Sequence, residues 1–264
     1  MRKFASFLRN VASKSDDRRM FALKMIANRF LPDYRFTWAH LDWWRDEGFN
    51  AYLERFGERG GFNTHRKWTL WQLMRMTAHV PGDTAECGVF EGASSWLICS
   101  ATRGTDKIHH LFDSFEGLSA PQSEDGGYWK PGDFATPEQV VLDNLAPFAD
   151  RIRLHKGWIP ERFGDVADRT FSFVHVDVDL YQPTIDSMRF FYDRLSPGGI
   201  LLCDDYACGT CPGASASIDE FLADKPEKML SLDAGGGFFV KGIPVAPAAS
   251  PGAGVAGAAD QAAG

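Results

Sequence analysis

The stretch FVHVDVDLY, residues 173–181, decides how this sequence folds. It begins as an apolar, β-branched strand and then places two carboxylates, Asp177 and Asp179, directly at the strand's end. A second apolar run, GGILLC, ends in the same way with Asp204 and Asp205. Because an unpaired buried carboxylate is strongly disfavoured or takes up a proton, these four groups need a partner that offsets their charge.

From residue 83 onwards, short apolar runs alternate with helical segments. Strands are predicted at 83–88, 108–113, 151–155, 171–176, 198–204, 228–232 and 237–241. Helices are predicted at 93–103, 137–145, 160–167, 183–194 and 215–223. This alternation indicates an α/β, Rossmann-like doubly wound sheet of parallel strands. The last two strands are joined by AGGG, which is too short for a helix, so they should form an antiparallel hairpin.

Composition and charge exclude several classes of protein. The chain has 264 residues, 44% of them hydrophobic and 24% charged, which is typical of a globular α/β protein. A formal net charge of −7 argues against a nucleic-acid-binding protein. No apolar run approaches the ~20 residues that span a bilayer, so we expect no membrane association and a cytoplasmic location. The odd set of five cysteines fits a reducing compartment, and Cys208 and Cys211 are interpreted as loop cysteines.

Three regions are predicted along the chain. Residues 1–80 have helical patterns, with Thr37 and Thr64 as candidate caps, and would form a lid or a dimer surface in a homo-oligomer. Residues 81–242 would form the α/β domain that carries the site. Residues 243–264 are mainly Ala, Gly and Pro, and they cannot bury enough apolar surface to offset ordering, so we predict a disordered tail.

The loop after the first strand is suited to a small-molecule ligand. Its pattern is E-x-G-x-x-x-G, from Glu86 through Gly88 to Gly92, with Ser94 at the start of the helix. Glycines allow close approach to the backbone, and a helix N-terminus offers free N–H groups. The pattern matches neither the dinucleotide fingerprint nor a phosphate-binding loop. An acid before the turn suits a ligand with an ammonium group, such as S-adenosylmethionine.

The next two strands supply further candidate cofactor ligands. Asp113 ends the second strand 27 residues after Glu86 and is followed by Ser114. A carboxylate in that place accepts hydrogen bonds from ribose hydroxyls in nucleotide-binding α/β folds. Trp158, after the third strand, is placed to stack on an adenine, with simple packing at a helix start as the alternative.

The four aspartates at strand ends indicate a divalent cation. Neighbouring parallel strands end at one edge of a sheet, so the carboxylates would repel one another unless a cation lies among them. Oxygen ligands with water suit Mg²⁺ or Mn²⁺. A cation of this kind lowers the pKa of a substrate hydroxyl, and a nearby carboxylate can take the proton. Pairing with Arg or Lys, or capping of the next helix, is the alternative.

Six segments of the chain resemble one known family of enzymes. The segments AECGVFEGASS, LFDSFEGL, KGW, VHVDVDLYQPT, LSPGGILLCDDY and CPGASASIDEF, within residues 62–242, resemble the macrocin-type (TylF) O-methyltransferases. The resemblance implies a class I methyltransferase fold, S-adenosylmethionine and Mg²⁺, and often a sugar hydroxyl of a natural product as acceptor. It implies that Asp177, Asp204 and Asp205 hold the metal, and that Asp179, beside Asp177, is the catalytic base. It also implies that the cofactor is held by Glu86, Gly88, Gly92 and Asp113.

Two segments depart from the pattern of the family. Ser215 and Ala216 stand where relatives often carry a basic residue, and NTHRKWTLWQL differs from the usual lid sequence. The charged residues in that segment, His65, Arg66 and Lys67, are interpreted as a solvated helix start, with contact to an acidic or sugar acceptor as the alternative. Both departures weaken the inference that this chain acts on the same antibiotic as any particular relative.

Three alternatives to a sugar O-methyltransferase stay open. A catechol-like phenol also presents adjacent oxygens to a metal, so the sequence does not separate it from a sugar. A non-catalytic protein of the same fold is the second alternative, although the presence of all four aspartates speaks against it. A nucleotide-sugar-binding Rossmann protein is disfavoured by Glu86 and by the missing phosphate loop.

Overall fold

The computed structural model describes residues 2–30, 41–58 and 63–246. The chain divides into two compact units between Thr64 and His65. The predicted helix start at Thr37 and the tail beyond residue 246 lie outside the described residues. The roles of the N-terminal region as a lid or an oligomer surface stay predictions.

The first unit is helical, as its sequence pattern predicts. It contains α1 (Arg2–Val11), α2 (Asp16–Phe30), a 3₁₀ helix (Asp42–Arg45) and α3 (Glu47–Arg55). Asp46 caps α3, because its Oδ1 accepts a hydrogen bond from the backbone N–H of Phe49 at 2.7 Å. Phe49, Tyr52 and Leu53 on α3 are buried.

The second unit contains a mixed sheet of seven strands with helices. Its helices are α4 (Asn63–Met76), α5 (Ala93–Ala101), α6 (Glu138–Asn144), α7 (Tyr181–Tyr192) and α8 (Pro212–Leu222). Its strands are β1 (Asp83–Cys87), β2 (His109–Asp113), β3 (Ile152–Lys156), β4 (Phe171–Val176), β5 (Leu195–Cys203), β6 (Leu230–Ser231) and β7 (Gly237–Val240). Helix α4, which the sequence groups with the N-terminal region, lies almost wholly in this unit.

The sheet has the order β3-β2-β1-β4-β5-β7-β6. Strands β1 to β5 are parallel, and β7 runs antiparallel to both β5 and β6. The predicted doubly wound sheet and its C-terminal antiparallel hairpin are therefore confirmed. The order reverses between β1 and β4, and the crevice at their carboxyl ends is where such sheets bind ligands.

The one predicted helix that differs in kind is 160–167. The segment instead contains a cis Ile159–Pro160 bond and a 3₁₀ helix over Phe163–Val166. Its Pro and Gly164 limit helix length, since proline removes a backbone donor and glycine is a weak helix former. Helix α8 begins three residues earlier than the predicted 215, with Pro212 in its first turn, where proline is well tolerated.

The core is built from apolar residues on both faces of the central strands. Every residue of β4 is buried. Phe191 of α7 packs edge-on against Phe171 of β4 at a ring-centroid distance of 5.0 Å. The same ring lies 5.1 Å from that of Phe163, so the 3₁₀ helix closes the core beside α7. At the other end of the strands, Cys87 of β1 pairs with Val176 of β4, so their carboxyl ends lie side by side.

Gly88 is the residue that allows this close approach. It follows β1 with a left-handed backbone, φ +80°, and a Cβ on it would lie 1.8 Å from the carbonyl oxygen of Asp177. No side chain fits in that space, so the turn that leaves β1 and the turn that leaves β4 require glycine here.

We predict that Gly88→Ala destabilises the protein by more than about 3 kcal/mol, because it adds a backbone clash to left-handed strain. Gly104→Ala is the matched control, since Gly104 has φ +85° and nothing within 4 Å of its added Cβ. It should cost about 1 kcal/mol from strain alone. Thermal melts of both variants would test this, and equal losses of stability would contradict the role of the close contact.

Candidate functional site

The four aspartates converge as the strand pattern predicts. Val176 of β4 pairs with Cys203 of β5, so Asp177 and Asp204 follow neighbouring positions at one edge of the sheet. The Oδ2 of Asp205 accepts hydrogen bonds from the backbone N–H groups of Val178 (3.1 Å) and Asp179 (2.7 Å). Asp205 thereby fixes the turn after β4.

Two cations of α4 reach the same edge. Arg66 Nη1 donates to Asp204 Oδ2 at 2.6 Å. Lys67 is 6% exposed, and its Nζ donates to Ser94 Oγ at 2.5 Å. His65 is half-buried. The prediction of a solvated helix start is therefore wrong for Arg66 and Lys67, because this face of α4 packs over the carboxyl ends of the strands.

The ionisation of Asp204 differs from that of its neighbours. Burial opposes its negative charge, but the nearby His175 and the charges of Lys67 and Arg66 together outweigh burial. They hold the pKa of Asp204 well below its usual range. Asp204 is thus an anion in a charge pair, and its second oxygen, Oδ1, faces His175.

The other three carboxylates are difficult to ionise. Burial, with the charges of Asp204 and Asp205, raises the pKa of Asp177 to about 8. Burial and the charge of Asp177 raise the pKa of Asp179 to about 7. Burial and Asp179 also raise the pKa of Asp205 well above its usual value. The charges of Arg66 and Lys67 do not keep all four carboxylates ionised, and a divalent cation would offset the repulsion among them.

Beneath the cluster lies a buried polar network that the sequence pattern does not reveal. His175 of β4 is fully buried, and its Nδ1 lies 2.9 Å from Oε1 of Glu86 on β1. Ser95 Oγ donates to Oε2 of the same carboxylate, and His109 Nε2 lies 3.7 Å from it. Glu86 is 1% exposed, so the protein already engages both its oxygens. The predicted contact of Glu86 with a cofactor stays a prediction.

The remaining nitrogen of His175 points towards the aspartates. Its Nε2 is buried without a hydrogen-bond partner and lies 3.9 Å from Asp204 Oδ1. Burial opposes a positive charge on His175, but Asp204 and Glu86 outweigh it and raise its pKa to about 10. In the sequence, a histidine among the apolar residues of FVHV indicates a buried polar group. Its partners cannot be read from the sequence, because they depend on the register of β1 against β4.

Two groups of potential metal ligands are present within the described residues, each with atoms that lie within 4.8 Å of one another. The first group contains His175, Asp177 and Asp204, and the second contains Asp179, Asp205 and Cys211. The predicted set of Asp177, Asp204 and Asp205 is thus divided between them. Oxygen donors, and carboxylates whose mutual repulsion raises their pKa values, fit a divalent cation at this edge.

On the other side of the crevice, Asp113 organises the glycine turn. Its Oδ2 accepts hydrogen bonds from the backbone N–H groups of Val89 (2.7 Å) and Phe90 (3.1 Å). Its Oδ1 accepts from the N–H of Phe115 at 2.7 Å. The carboxylate predicted to bind a ribose therefore also ties the end of β1 to the end of β2.

The remaining predicted cofactor residues lie at the same edge. Gly92 caps α5 with φ +84°, and Ser94 lies in the first turn, where it accepts from Lys67. Ser114 Oγ accepts from the N–H of Glu116 at 3.1 Å. Trp158 is half-buried after β3, next to a backbone hydrogen bond of 3.0 Å from Gly157 to the carbonyl of Asp113. The structure brings these residues together, and their contacts with a cofactor stay predictions.

Strained backbone is concentrated on this edge. Among the described residues, five that are not glycine have positive φ: Phe90, Phe115, Phe134, Asp179 and Ala207. All five lie on loops that follow the carboxyl ends of β1, β2, β4 and β5. Left-handed backbone disfavours such side chains, and residues held in it are concentrated at functional sites.

The strand order, the glycine turn after β1 and the carboxylates after β2, β4 and β5 define a class I methyltransferase fold. The chain belongs to the macrocin O-methyltransferase (TylF) family, whose sequence profile matches residues 70–241. No helix among the described residues is long and apolar enough to cross a bilayer.

Three curated relatives are named as O-methyltransferases, and the name of one contains a rhamnosyl group. The chain is 31% identical over 51% of its length to 8-demethyl-8-(2,3-dimethoxy-alpha-L-rhamnosyl)-tetracenomycin-C 4'-O-methyltransferase of Streptomyces olivaceus, and it spans 57% of that protein. It is 27% identical over 78% of its length to demethyldecarbamoylnovobiocin O-methyltransferase of Streptomyces niveus, spanning 85% of that protein. A third relative is mycinamicin III 3''-O-methyltransferase of Micromonospora griseorubida, to which the chain is 28% identical over 50% of its own length and 58% of that protein.

Solved structures agree on the fold. The O-methyltransferase NovP is 27% identical and superposes with a TM-score of 0.56, over 67% of this chain and 79% of NovP. A calicheamicin methyltransferase is 18% identical with a TM-score of 0.60, over 88% of this chain and 95% of its own. At 18% identity, the similarity to the calicheamicin methyltransferase shows a shared fold alone.

We predict that Asp177→Asn stabilises the metal-free protein at alkaline pH by about 1–4 kcal/mol. The pKa of Asp177 rises from an ordinary 3.8 to about 8 on folding. The stability that protonated Asp177 contributes to the folded protein is therefore fully present below pH 4, and it is lost as the pH rises through 8. Wild type should lose stability over this range in EDTA relative to the variant.

Urea unfolding at several pH values in EDTA would measure the difference. Asp224→Asn is the control, because Asp224 is exposed on the surface, with 83% of its side chain accessible. This control should follow the wild-type curve. Parallel curves for wild type and Asp177→Asn would contradict the raised pKa.

Proposed function

We propose that this protein is a metal-dependent O-methyltransferase that transfers the methyl group of S-adenosylmethionine to a sugar hydroxyl of a glycosylated natural product. The observation that carries this proposal is the convergence of four carboxylates beside a glycine turn at one edge of the sheet. The names of the relatives, one of which contains a rhamnosyl group, support the choice of acceptor.

Asp179 is the proposed general base. Burial and the charge of Asp177 raise its pKa above that of an ordinary aspartate, so the carboxylate is basic enough to accept a proton. Its backbone is fixed by Asp205, and its Oδ1 accepts the S–H of Cys211 at 3.4 Å. Asp179 therefore lies in a defined orientation and would accept the acceptor's hydroxyl proton at its carboxylate.

Asp177, Asp204 and Asp205 are the proposed metal ligands. Mg²⁺ or Mn²⁺ held there would supply a positive charge that makes a neighbouring hydroxyl more acidic. Asp204 is kept ionised by Arg66, and Asp177 would become ionised when a cation offsets its burial. With Asp179, Asp177 would also orient the acceptor hydroxyl.

The cofactor would occupy the crevice between the ends of β1 and β2. S-adenosylmethionine supplies the sulfonium methyl group, so the residues of the chain chiefly bind, orient and exclude water. Close approach would be allowed by Gly88 and Gly92, with Ser94 at the helix start and Asp113 at the ribose. The neighbouring candidates Glu86, Ser114 and Trp158 would complete the site.

Calorimetric binding of S-adenosylhomocysteine, with Mg²⁺ and then with EDTA, tests the cofactor site. Turnover of radiolabelled S-adenosylmethionine would then be compared for a rhamnoside and for catechol. Cofactor binding with Mg²⁺-dependent labelling of the rhamnoside is the expected result. Labelling of catechol alone would show that the acceptor is a phenol and not a sugar. If S-adenosylhomocysteine bound neither with Mg²⁺ nor with EDTA, the proposed methyltransferase activity would be wrong.

We predict that Asp113→Ala raises the dissociation constant for S-adenosylhomocysteine at least about tenfold, because it removes a ribose acceptor and loosens the glycine turn. Asp143→Ala on α6 is the control, since the Asp143 carboxylate is exposed and accepts a hydrogen bond from the exposed Gln139. Titration calorimetry would measure both. An Asp113 variant with wild-type affinity would refute the assignment.

We predict that Asp204→Asn lowers metal-dependent turnover at least about 100-fold while S-adenosylhomocysteine affinity changes less than about threefold. The substitution keeps the shape of the side chain and removes the charge that attracts a cation. Asp224→Asn is again the control. Unchanged turnover, or equal loss of cofactor binding, would remove Asp204 from the metal site.

A further inference from the structure

Two free cysteines, Cys208 and Cys211, lie on the loop between β5 and α8, next to the proposed base. We infer that they form a redox-active pair, which a small-molecule disulfide oxidises to an intrachain disulfide and which a thiol reductant restores. The formation of this disulfide does not depend on the proposed function.

The backbone of the loop already brings the two cysteines close together. The N–H of Cys211 donates to the carbonyl of Cys208 at 3.1 Å, which closes a turn over the four residues 208–211. The end residues of a β-turn have Cα atoms less than about 7 Å apart, and disulfides join Cα atoms about 4.4–6.8 Å apart. A Cβ on Gly209 would meet nothing within 4 Å, so the turn has space to adjust.

Both sulfur atoms contact one hydroxyl group. Thr210 Oγ1 lies 3.1 Å from Cys208 Sγ and 3.5 Å from Cys211 Sγ. Cys208 is half-buried, whereas Cys211 is only 2% exposed. Burial opposes a thiolate at Cys208, but Thr210 and the nearby guanidinium of Arg66 outweigh burial and lower the pKa of this thiol. Cys208 is therefore the accessible nucleophile, and Cys211 is the neighbouring thiol that completes the disulfide.

The reaction balances as two successive thiol–disulfide exchanges. The Cys208 thiolate attacks one sulfur of a small-molecule disulfide, R–S–S–R, so that a Cys208–S–S–R bond forms and one thiolate leaves. The sulfur of Cys211 then attacks the Cys208 sulfur, so that the Cys208–Cys211 bond forms and the second thiolate leaves. The protons of both cysteine thiols end on the released thiols, and the small-molecule disulfide is reduced as the protein is oxidised.

The other three cysteines of the chain provide internal controls. Cys87, Cys99 and Cys203 lie on β1, α5 and β5, and each is 0% exposed. A small-molecule disulfide has no access to fully buried thiols, so the reaction in the folded protein should be confined to the turn.

Oxidation changes the surroundings of Asp179. In the reduced protein the Cys211 thiol donates to Asp179 Oδ1 at 3.4 Å and accepts from Trp129 Nε1 at 3.3 Å. A disulfide sulfur carries no hydrogen, so it cannot donate to Asp179. Oxidation therefore removes a hydrogen bond that orients the proposed base, and it should lower turnover. This effect on turnover, in contrast to the disulfide itself, rests on the proposed function.

The test treats one portion of the full chain with oxidised glutathione and another with dithiothreitol. Each portion is denatured, alkylated with iodoacetamide and weighed by mass spectrometry, and peptide mapping locates the disulfide. The reduced chain should carry alkyl groups on all five cysteines, and the oxidised chain should lack them on Cys208 and Cys211 alone.

The same portions are assayed for methylation of the rhamnoside and for binding of S-adenosylhomocysteine. Turnover by the oxidised chain should be at least about tenfold lower and should return with dithiothreitol. Affinity for S-adenosylhomocysteine should change less than about threefold, because the proposed cofactor residues follow β1, β2 and β3.

Two variants separate the pair from the other cysteines. Cys208→Ser removes the accessible sulfur and keeps a small polar side chain at a half-buried position. It should form no intrachain disulfide, and its turnover should change less than about twofold on treatment with oxidised glutathione. Cys99→Ala is the control, because it removes a fully buried cysteine on α5 and should oxidise as wild type does.

Each contrary outcome has a distinct meaning. Five alkylated cysteines after oxidation, a mixed disulfide that persists at Cys208, or a disulfide between two chains would overturn the inference. Oxidation of Cys208→Ser to the same extent as wild type would do so too. An intrachain disulfide with unchanged turnover would overturn its effect on the base. Failure of the reduced chain to bind S-adenosylhomocysteine would overturn the proposed function alone, because the masses decide the disulfide independently.

Discussion

Repulsion among carboxylates is the constraint on which this site depends. Parallel strands deliver Asp177 and Asp204 to one edge, and left alone they would take up protons or separate. The chain offsets the charge from three directions. Helix α4 places Arg66 and Lys67 over the cluster, His175 lies beneath it, and backbone N–H groups bind Asp205. Helix α4 is therefore part of the site, and the departures of its sequence from relatives concern the site directly.

The same constraint extends into the centre of the sheet. Glu86 and His175 form a buried pair across β1 and β4, where an apolar pair would ordinarily lie. Burial opposes ionisation of Glu86, yet His109 and His175 lower its pKa to about 2. Buried hydrogen bonds of this kind favour one arrangement of the strands, because breaking one leaves a buried polar group without its partner. The interior of the sheet thus positions the cluster that it supports.

The sequence predicts the features that depend on local pattern. Alternating apolar runs locate every strand to within a few residues, and polar residues that interrupt those runs locate Asp113 and the four aspartates. Features that depend on tertiary contacts cannot be predicted from the local sequence pattern. Arg66 and Lys67 look solvated because nothing local shows which face of α4 is covered, and the partner of His175 requires the register of β1 against β4.

The left-handed residues around the crevice have a thermodynamic consequence. Loops fixed in sparsely populated backbone conformations, such as those of Phe90, Phe134 and Asp179, have little freedom left to lose when a ligand arrives. Association therefore carries a small penalty from loop ordering, and affinity reflects the contacts themselves. Rigid loops of this kind around the crevice discriminate between ligands by their shape. A different acceptor would be accommodated by exchanging side chains on an unchanged backbone more readily than by remodelling the loops.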